Sequence, residues 1–201
     1  MPLLSLTPEQ ATHVILVCWW CYFIVWTLAA IGMKRTVEQW SPGNRLGYLI
    51  SWILVFYLLG VSFRWHHTPS IAADPTPPIA ADPLVALIAC VLCVAGLVVC
   101  FWARYALGRN WSGNVTLKAG HELVENGPYR FIRHPIYTGL LLMILATALL
   151  RGTPAAFLAV VVFFAAHVWK LRQEEALMRR NFPNSYPEYC TRTKALIPGI
   201  F

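Results

Sequence analysis

The stretch LLLMILATALLRGTPAAFLAVVVFFAAHVWK, residues 140–170, decides the architecture. Two apolar runs are separated there only by Arg151, Gly152 and Thr153. So short a connection joins two helices as a tight antiparallel hairpin. The first run, Ile136–Leu150, is short for a bilayer crossing, and the second, Pro154–Leu171, carries His167 and Lys170 near its end. A hydrocarbon core about 30 Å thick needs about 20 apolar residues rising about 1.5 Å each. Three further runs approach that length: Ala11–Met33, Leu46–Phe63 and Leu84–Ala103. The expectation is an all-α integral membrane protein with about five transmembrane helices.

Composition agrees. Of the 201 residues, 58% are hydrophobic and 12% are charged, which is too apolar for an ordinary soluble domain. Charge sets the orientation. Of the 16 lysines and arginines, all but Arg64 and Arg151 fall on one side of the expected spans. The positive-inside rule then puts the N-terminus outside and the C-terminus in the cytosol. The net charge of +7 is thereby a topology signal. Nucleic-acid binding would need a basic face with interleaved aromatics on a soluble module, and the sequence has none. The start MPLLSLTPEQ lacks a basic n-region, so Ala11–Met33 reads as a retained span and not as a signal peptide. No retrieval, peroxisomal or prenylation tail is expected. Short loops and the lack of targeting signals point to a prokaryotic inner membrane.

Cys18–Cys21 and Cys90–Cys93 have CxxC spacing, but both pairs lie in apolar runs without polar company. They read as small packing residues. The outer loop repeats IAADP at 71–75 and 79–83 around TPP, a proline-stiffened spacer. His66 and His67 precede it without an Asp, Glu or Cys cluster at ligand spacing, so no metal site is expected.

The cytosolic side is richer. Residues 104–135, RYALGRNWSGNVTLKAGHELVENGPYRFIRHP, are too long for an idle connection, and long ordered loops carry function. ENGP at 125–128 marks a turn. Val115, Leu117, Leu123 and Val124 can anchor the segment. Pro135 suits the first turn of a helix, where its missing N–H costs nothing. That helix start offers free N–H groups and the positive end of the macrodipole, beside Arg133 and His134. Tyr137 lies in its first turn, and Gly139 allows close approach of another backbone or a ligand.

The last span continues without Gly or Pro from Ala155 to Asn181. Twenty residues from Pro154 rise about 30 Å, which brings Glu174 to the interface. His167, Lys170, Glu174 and Leu177 or Met178 share one helical face. Glu174 and Glu175 can accept from a diol or pair with an ammonium, opposite the anion-binding helix start. Two poles with nearby tyrosines and tryptophans suit a zwitterionic nucleoside such as S-adenosyl-L-methionine. Plainer readings exist for each part: RxxRHP as a topology anchor, Glu174–Glu175 as a solvated face paired with Arg172 and Arg179, His121 as a turn cap. Their placement at one membrane face weighs against all three together.

Residues 107–139, LGRNWSGNVTLKAGHELVENGPYRFIRHPIYTG, and 174–198, EEALMRRNFPNSYPEYCTRTKALIP, resemble the isoprenylcysteine carboxyl methyltransferase family. Phospholipid N-methyltransferases are similar in the same region. The likeness covers the C-terminal half and rests on HxLVxxGPYxxxRHPxYxG followed by EE and FxxxYxxY. It implies an S-adenosyl-L-methionine-dependent methyltransferase. It divides the chain into an N-terminal membrane region, 1–103, with three spans, and a methyltransferase-like region, 104–201. Cofactor contacts are implied at Asn114, His121, Glu122, Leu123, Val124, Tyr129, His134, Pro135, Ile136, Tyr137 and Glu174. The substrate-facing basic residue falls on Lys170, where eukaryotic members carry arginine, with Arg172 as the alternative. Arg133, beside the helix start, and Glu175, beside Glu174, join the catalytic candidates on their own chemistry.

A sulfonium methyl is already activated, so the protein's task is to align and desolvate. A carboxylate acceptor is ionised at neutral pH and needs no base. An amine acceptor must lose a proton, for which Glu175 or His167 are candidates. The resemblance implies a lipophilic or prenylated acceptor entering from the bilayer, among membrane lipids, past Trp102, Trp111 and Trp169. Two other functions stay open: an NADPH-dependent reductase of the sterol reductase type, and a non-catalytic scaffold. The NADPH 2′-phosphate would want more arginine, and the EE pair speaks against it.

Overall fold

A computed structural model describes residues 6–29, 36–39, 42–60, 82–108, 116–118 and 123–197. Among the described residues, six helices carry the fold: α1 (Pro8–Ala29), α2 (Pro42–Leu58), α3 (Pro83–Leu107), α4 (Pro135–Arg151), α5 (Pro154–Asn181) and α6 (Ser185–Arg192). A short 3-10 turn, Gly127–Arg130, precedes α4. Two short strands, β1 (Thr36–Gln39) and β2 (Thr116–Lys118), pair antiparallel. Both segments lie in connections between the apolar runs. Pairing of such short segments depends on what the helices bring together, and nothing local announces it.

The hairpin of residues 140–170 is present. α4 ends on Gly152 at φ 63°, in the left-handed region that closes a helix. Thr153 then caps α5, its hydroxyl accepting from the Ala156 N–H at 3.3 Å. Asp82 does the same for α3, accepting from Leu84 N–H at 2.8 Å. Proline follows each cap, in the first helical turn.

Among the described residues three helices, α1, α3 and α5, are long and apolar enough to cross a membrane, and α4 is a shorter apolar helix. Their outer surfaces expose Val17, Trp20, Val91, Val98 and Val161. Such side chains belong against lipid. The molecule is an all-helical membrane protein apart from the small β1–β2 ladder.

The tightest crossing is between α3 and α4. A Cβ on Gly139 would lie 2.5 Å from the Gly96 carbonyl oxygen, and one on Gly96 would lie 2.5 Å from that of Gly139. Small residues let helix backbones touch where lipid supplies no hydrophobic drive. Cys93 and Cys100 are fully buried beside them, and the Cys100 thiol reaches the Ile136 carbonyl at 3.5 Å. All six cysteines are free thiols, and four are buried, as their packing role requires.

One end of the bundle gathers the starts of α1 and α3 and the end of α4, through Ala11, Ala86, Cys90 and Leu150. Arg151 reaches the Gly60 carbonyl there at 3.3 Å. The opposite end holds the ends of α1 and α3, joined where Arg104 donates to the carbonyls of Ala29 and Gly108, both at 2.6 Å. The start of α2 meets α5 at that same end, through Tyr48 and His167.

Candidate active site

The start of α4 faces α5 across a compact polar cluster. His134 is the N-cap of α4, with non-helical backbone, and its ring does not cap the helix. It turns instead to α5. Nδ1 lies 3.4 Å from Glu174 Oε2, and Nε2 lies 3.5 Å from Glu175 Oε1. The second contact is an ion-pair distance without hydrogen-bond geometry, and Nε2 is buried. The Arg133 Nε–H donates to Glu175 Oε1 at 2.8 Å. The Tyr137 hydroxyl donates to Glu174 Oε1 at 2.6 Å, and its ring stacks on His134 with 4° between planes. Arg179 pairs with the other Glu175 oxygen at 3.3 Å.

One turn deeper on α5, Lys170 is buried. Its Nζ lies 4.3 Å from the Tyr48 ring centroid and 5.2 Å from that of Tyr137. Ammonium groups bind aromatic faces at such distances. His167 lies one further turn in, hydrogen-bonded to Tyr48 and to the Phe163 carbonyl. The expected face of His167, Lys170, Glu174 and Leu177 thus turns inward.

The tail straps the helix start in place. Arg133 N–H donates to the Lys194 carbonyl at 2.8 Å, and His134 N–H to that of Ala195 at 3.0 Å. The Arg133 guanidinium also donates to the Thr193 carbonyl, and Thr138 Oγ to that of Leu196 at 2.6 Å. Tyr189, on α6, donates to the Tyr129 carbonyl at 2.7 Å. The segment Thr193–Leu196, which follows the FxxxYxxY block, therefore holds the RHP block, while Tyr189 within the block holds Tyr129.

Burial disfavours the charged form of His134, but the neighbouring Glu174 and Glu175 carboxylates outweigh it and raise its pKa above 6.5. For Arg133 the same contest runs between burial, which lowers its pKa, and Glu175, which wins and raises it.

Of the expected site residues, Arg133, His134, Tyr137, Lys170, Glu174 and Glu175 come together. Pro135 and Ile136 are buried beneath them, and Tyr129 is buried next to α6. Leu123 and Val124 are half-buried, Val124 against the apolar core. Asn114, His121, Glu122 and Trp111 lie outside the described residues, as do His66, His67 and the IAADP repeat.

Two expectations change. Arg172 is exposed and sits outside the cluster, because two residues along a helix from Lys170 is the opposite face. The helix start also has fewer free donors than its dipole suggests. Pro135 has none, and the Tyr137 and Thr138 N–H groups donate to the His134 carbonyl at 3.0 and 3.2 Å. The two poles are in direct contact, so the anion pole is made of side chains already paired with carboxylates. Sequence reasoning missed Tyr48 and the tail strap. A tyrosine in an apolar helix gives no signal of its own, and carbonyl acceptors are independent of residue type.

Fold and site together define a helical membrane protein with a buried acid–base cluster at one end of its bundle. A family model described as phospholipid methyltransferase matches residues 84–185, half of the chain. The chain belongs to that family. It is 26% identical over 119 residues to a probable protein-S-isoprenylcysteine O-methyltransferase of Oryza sativa subsp. indica, covering 58% of this chain and 62% of the relative. It is also 26% identical over 173 residues to a cobalt-zinc-cadmium resistance protein of Cupriavidus metallidurans, covering 84% and 70%. The solved structure of isoprenylcysteine carboxyl methyltransferase, the eukaryotic intramembrane Ras methyltransferase, shares the fold at a TM-score of 0.50 and 20% identity, over 82% of this chain and 55% of that one. This chain therefore spans less than two thirds of the rice relative and of the solved structure.

Proposed function

We propose that the chain is a membrane methyltransferase that uses S-adenosyl-L-methionine and a lipophilic acceptor, an isoprenylcysteine-type carboxylate. The observation that carries this reading is the buried cluster of His134, Tyr137 and Glu174, built from the family's two sequence blocks, with Lys170 one turn before the second. About five spans, with the cluster on the cytosolic side, complete it.

The donor set suits the cofactor. Glu174 supplies a carboxylate for a diol or ammonium, while Arg133, His134 and Lys170 supply cationic donors for a carboxylate. The buried His134 Nε2, 3.5 Å from Glu175, has donor capacity left for a ligand. The cofactor brings an activated methyl group. The chain's part is to bind, orient and exclude water. Tyr137 and His134 hold Glu174 from two sides and fix its lone pairs. Arg133 holds Glu175, which leaves that carboxylate a scaffold for His134 and not a proton acceptor. His167 spends Nε2 on Tyr48 and Nδ1 on Phe163. With both amine-path bases committed, an acceptor that needs no deprotonation fits best. The resistance-protein relative raises a metal reading, but no group of three or more His, Cys, Asp or Glu fit to hold an ion occurs among the described residues.

The test is methyl transfer from labelled S-adenosyl-L-methionine to a farnesylated cysteine, with purified protein in detergent. Transfer that collapses in Glu174→Gln and His134→Ala supports the assignment. Transfer unchanged in both variants sinks it.

A further inference from the structure

We propose that Tyr48, on α2, is a positioning residue for the Lys170 ammonium, so that a helix outside the matched family region completes the acceptor end of the site. The substrate part of this inference rests on the function proposed above. The geometry stands by itself. The Phe163 carbonyl can only accept, so His167 Nδ1, at 2.9 Å, carries the proton. In that ring Nε2 accepts, and the Tyr48 hydroxyl at 2.8 Å is its donor. This bond fixes the Tyr48 ring, whose face takes the Lys170 ammonium at 4.3 Å. Tyr137 stands at 5.2 Å from the same ammonium, and its hydroxyl is tied to Glu174. A lysine stem is flexible, and two fixed rings give its charge one position.

The arrangement reaches from the Phe163 backbone to the Glu174 carboxylate through Tyr48 and Lys170. Tyr48 precedes residues 84–185, so the family match does not supply it. A lysine held at this depth, one turn inside Glu174, meets the anionic group of an acceptor whose hydrocarbon lies in the bilayer. Tyr48 then governs acceptor binding and leaves the methyl donor alone.

The experiment has two arms on the full chain. In the first, lysine is labelled with 13C at Cε and 15N at Nζ, and the Lys170 signal is assigned by its loss in Lys170→Met. It should be displaced by ring currents from the Lys194 signal, return toward it in Tyr48→Leu, and stay partly displaced in Tyr48→Phe. A Lys170 signal that does not move in Tyr48→Leu overturns the positioning role. In the second arm, Tyr48→Leu should raise the acceptor KM about tenfold or more, with kcat and donor binding within about threefold of wild type. Tyr48→Phe, which keeps the ring and loses the His167 bond that fixes it, should recover only part of that loss. Equal losses in kcat, donor binding and melting temperature in both variants would mean a structural role and overturn the proposal. Should wild type transfer no methyl group while the Lys170 signal still follows Tyr48, the positioning stands and the methyltransferase reading fails.

Discussion

The two ends of α4 are built on opposite principles. Its far end closes with Gly152 in the left-handed region, an apolar contact with α1 and α3, a neutral hydrogen bond from Trp19 Nε1 to Thr147 at 3.1 Å, and the exposed Arg151 on the Gly60 carbonyl. Its near end carries Arg133 and His134 against Glu174 and Glu175, with Lys170 one turn deeper. The far end shows what terminating this helix requires: a glycine and apolar packing. The near end exceeds that requirement. Burying several ionic groups is costly and often leaves a protein no more stable than apolar packing would. Among the described residues such a cluster stands at one end and not at the other, in keeping with the chemistry proposed for it.

The sharpest way to break this contrast is Glu174→Gln. It removes the charge that His134 and Tyr137 both address and keeps the shape. Methyl transfer should fall by about 100-fold or more, the scale of a misplaced reacting group. Single-turnover transfer in detergent measures it. Retained transfer would make the near end a structural ion cluster and nothing else.

Next in size is the crossing that holds the near end against α3. Gly139→Val drives side-chain atoms into the Gly96 carbonyl and Cys100 thiol. Overpacking of this kind should cost about 3 kcal/mol, read as a lowered melting temperature in detergent. Gly96→Val should cost a similar amount, and the two together less than their sum, because they open the same contact.

A smaller effect separates the ends by pH. The folded-state pKa of His134 is raised, with burial opposing and Glu174 and Glu175 prevailing. Its stabilising contribution is complete below its unfolded pKa of about 6.5 and is lost as pH rises through the higher folded value. One proton limits the slope to about 1.4 kcal/mol per pH unit. Melting temperature should therefore decline with pH above about 6.5, and the decline should flatten in His134→Gln. Thr147→Val, at the far end, should cost about 1 kcal/mol at every pH and leave the transfer rate unchanged.

How far these features were legible in the sequence follows from how local they are. Pro135 as a helix start, the Arg151–Thr153 hairpin and the unbroken run through Glu174 are local, and each is found. The meeting of His134 with Glu174 was legible because the two blocks read as one membrane face. The β1–β2 pairing, the strap from Thr193 to Leu196 and the reach of Tyr48 to His167 were not. Each joins segments far apart in the chain through backbone atoms or a single side chain, and no periodicity records such a meeting.

The smallest expected effect concerns Arg172, which the sequence left as the alternative to Lys170. Two positions on a helix place side chains about 200° apart, so one of the pair must face away. The structure gives the inward place to Lys170 and exposes Arg172. Arg172→Ala should change stability by less than about 0.5 kcal/mol, as exposed substitutions do. Acceptor KM should stay within about twofold, while Lys170→Ala raises it well beyond that. Acceptor titrations of the two variants decide the matter. If Arg172→Ala raised KM as much as Lys170→Ala, the acceptor's anion would have to lie outside the buried cluster. The inward face of α5 would then be packing, and the contrast between the two ends of α4 would lose its functional meaning.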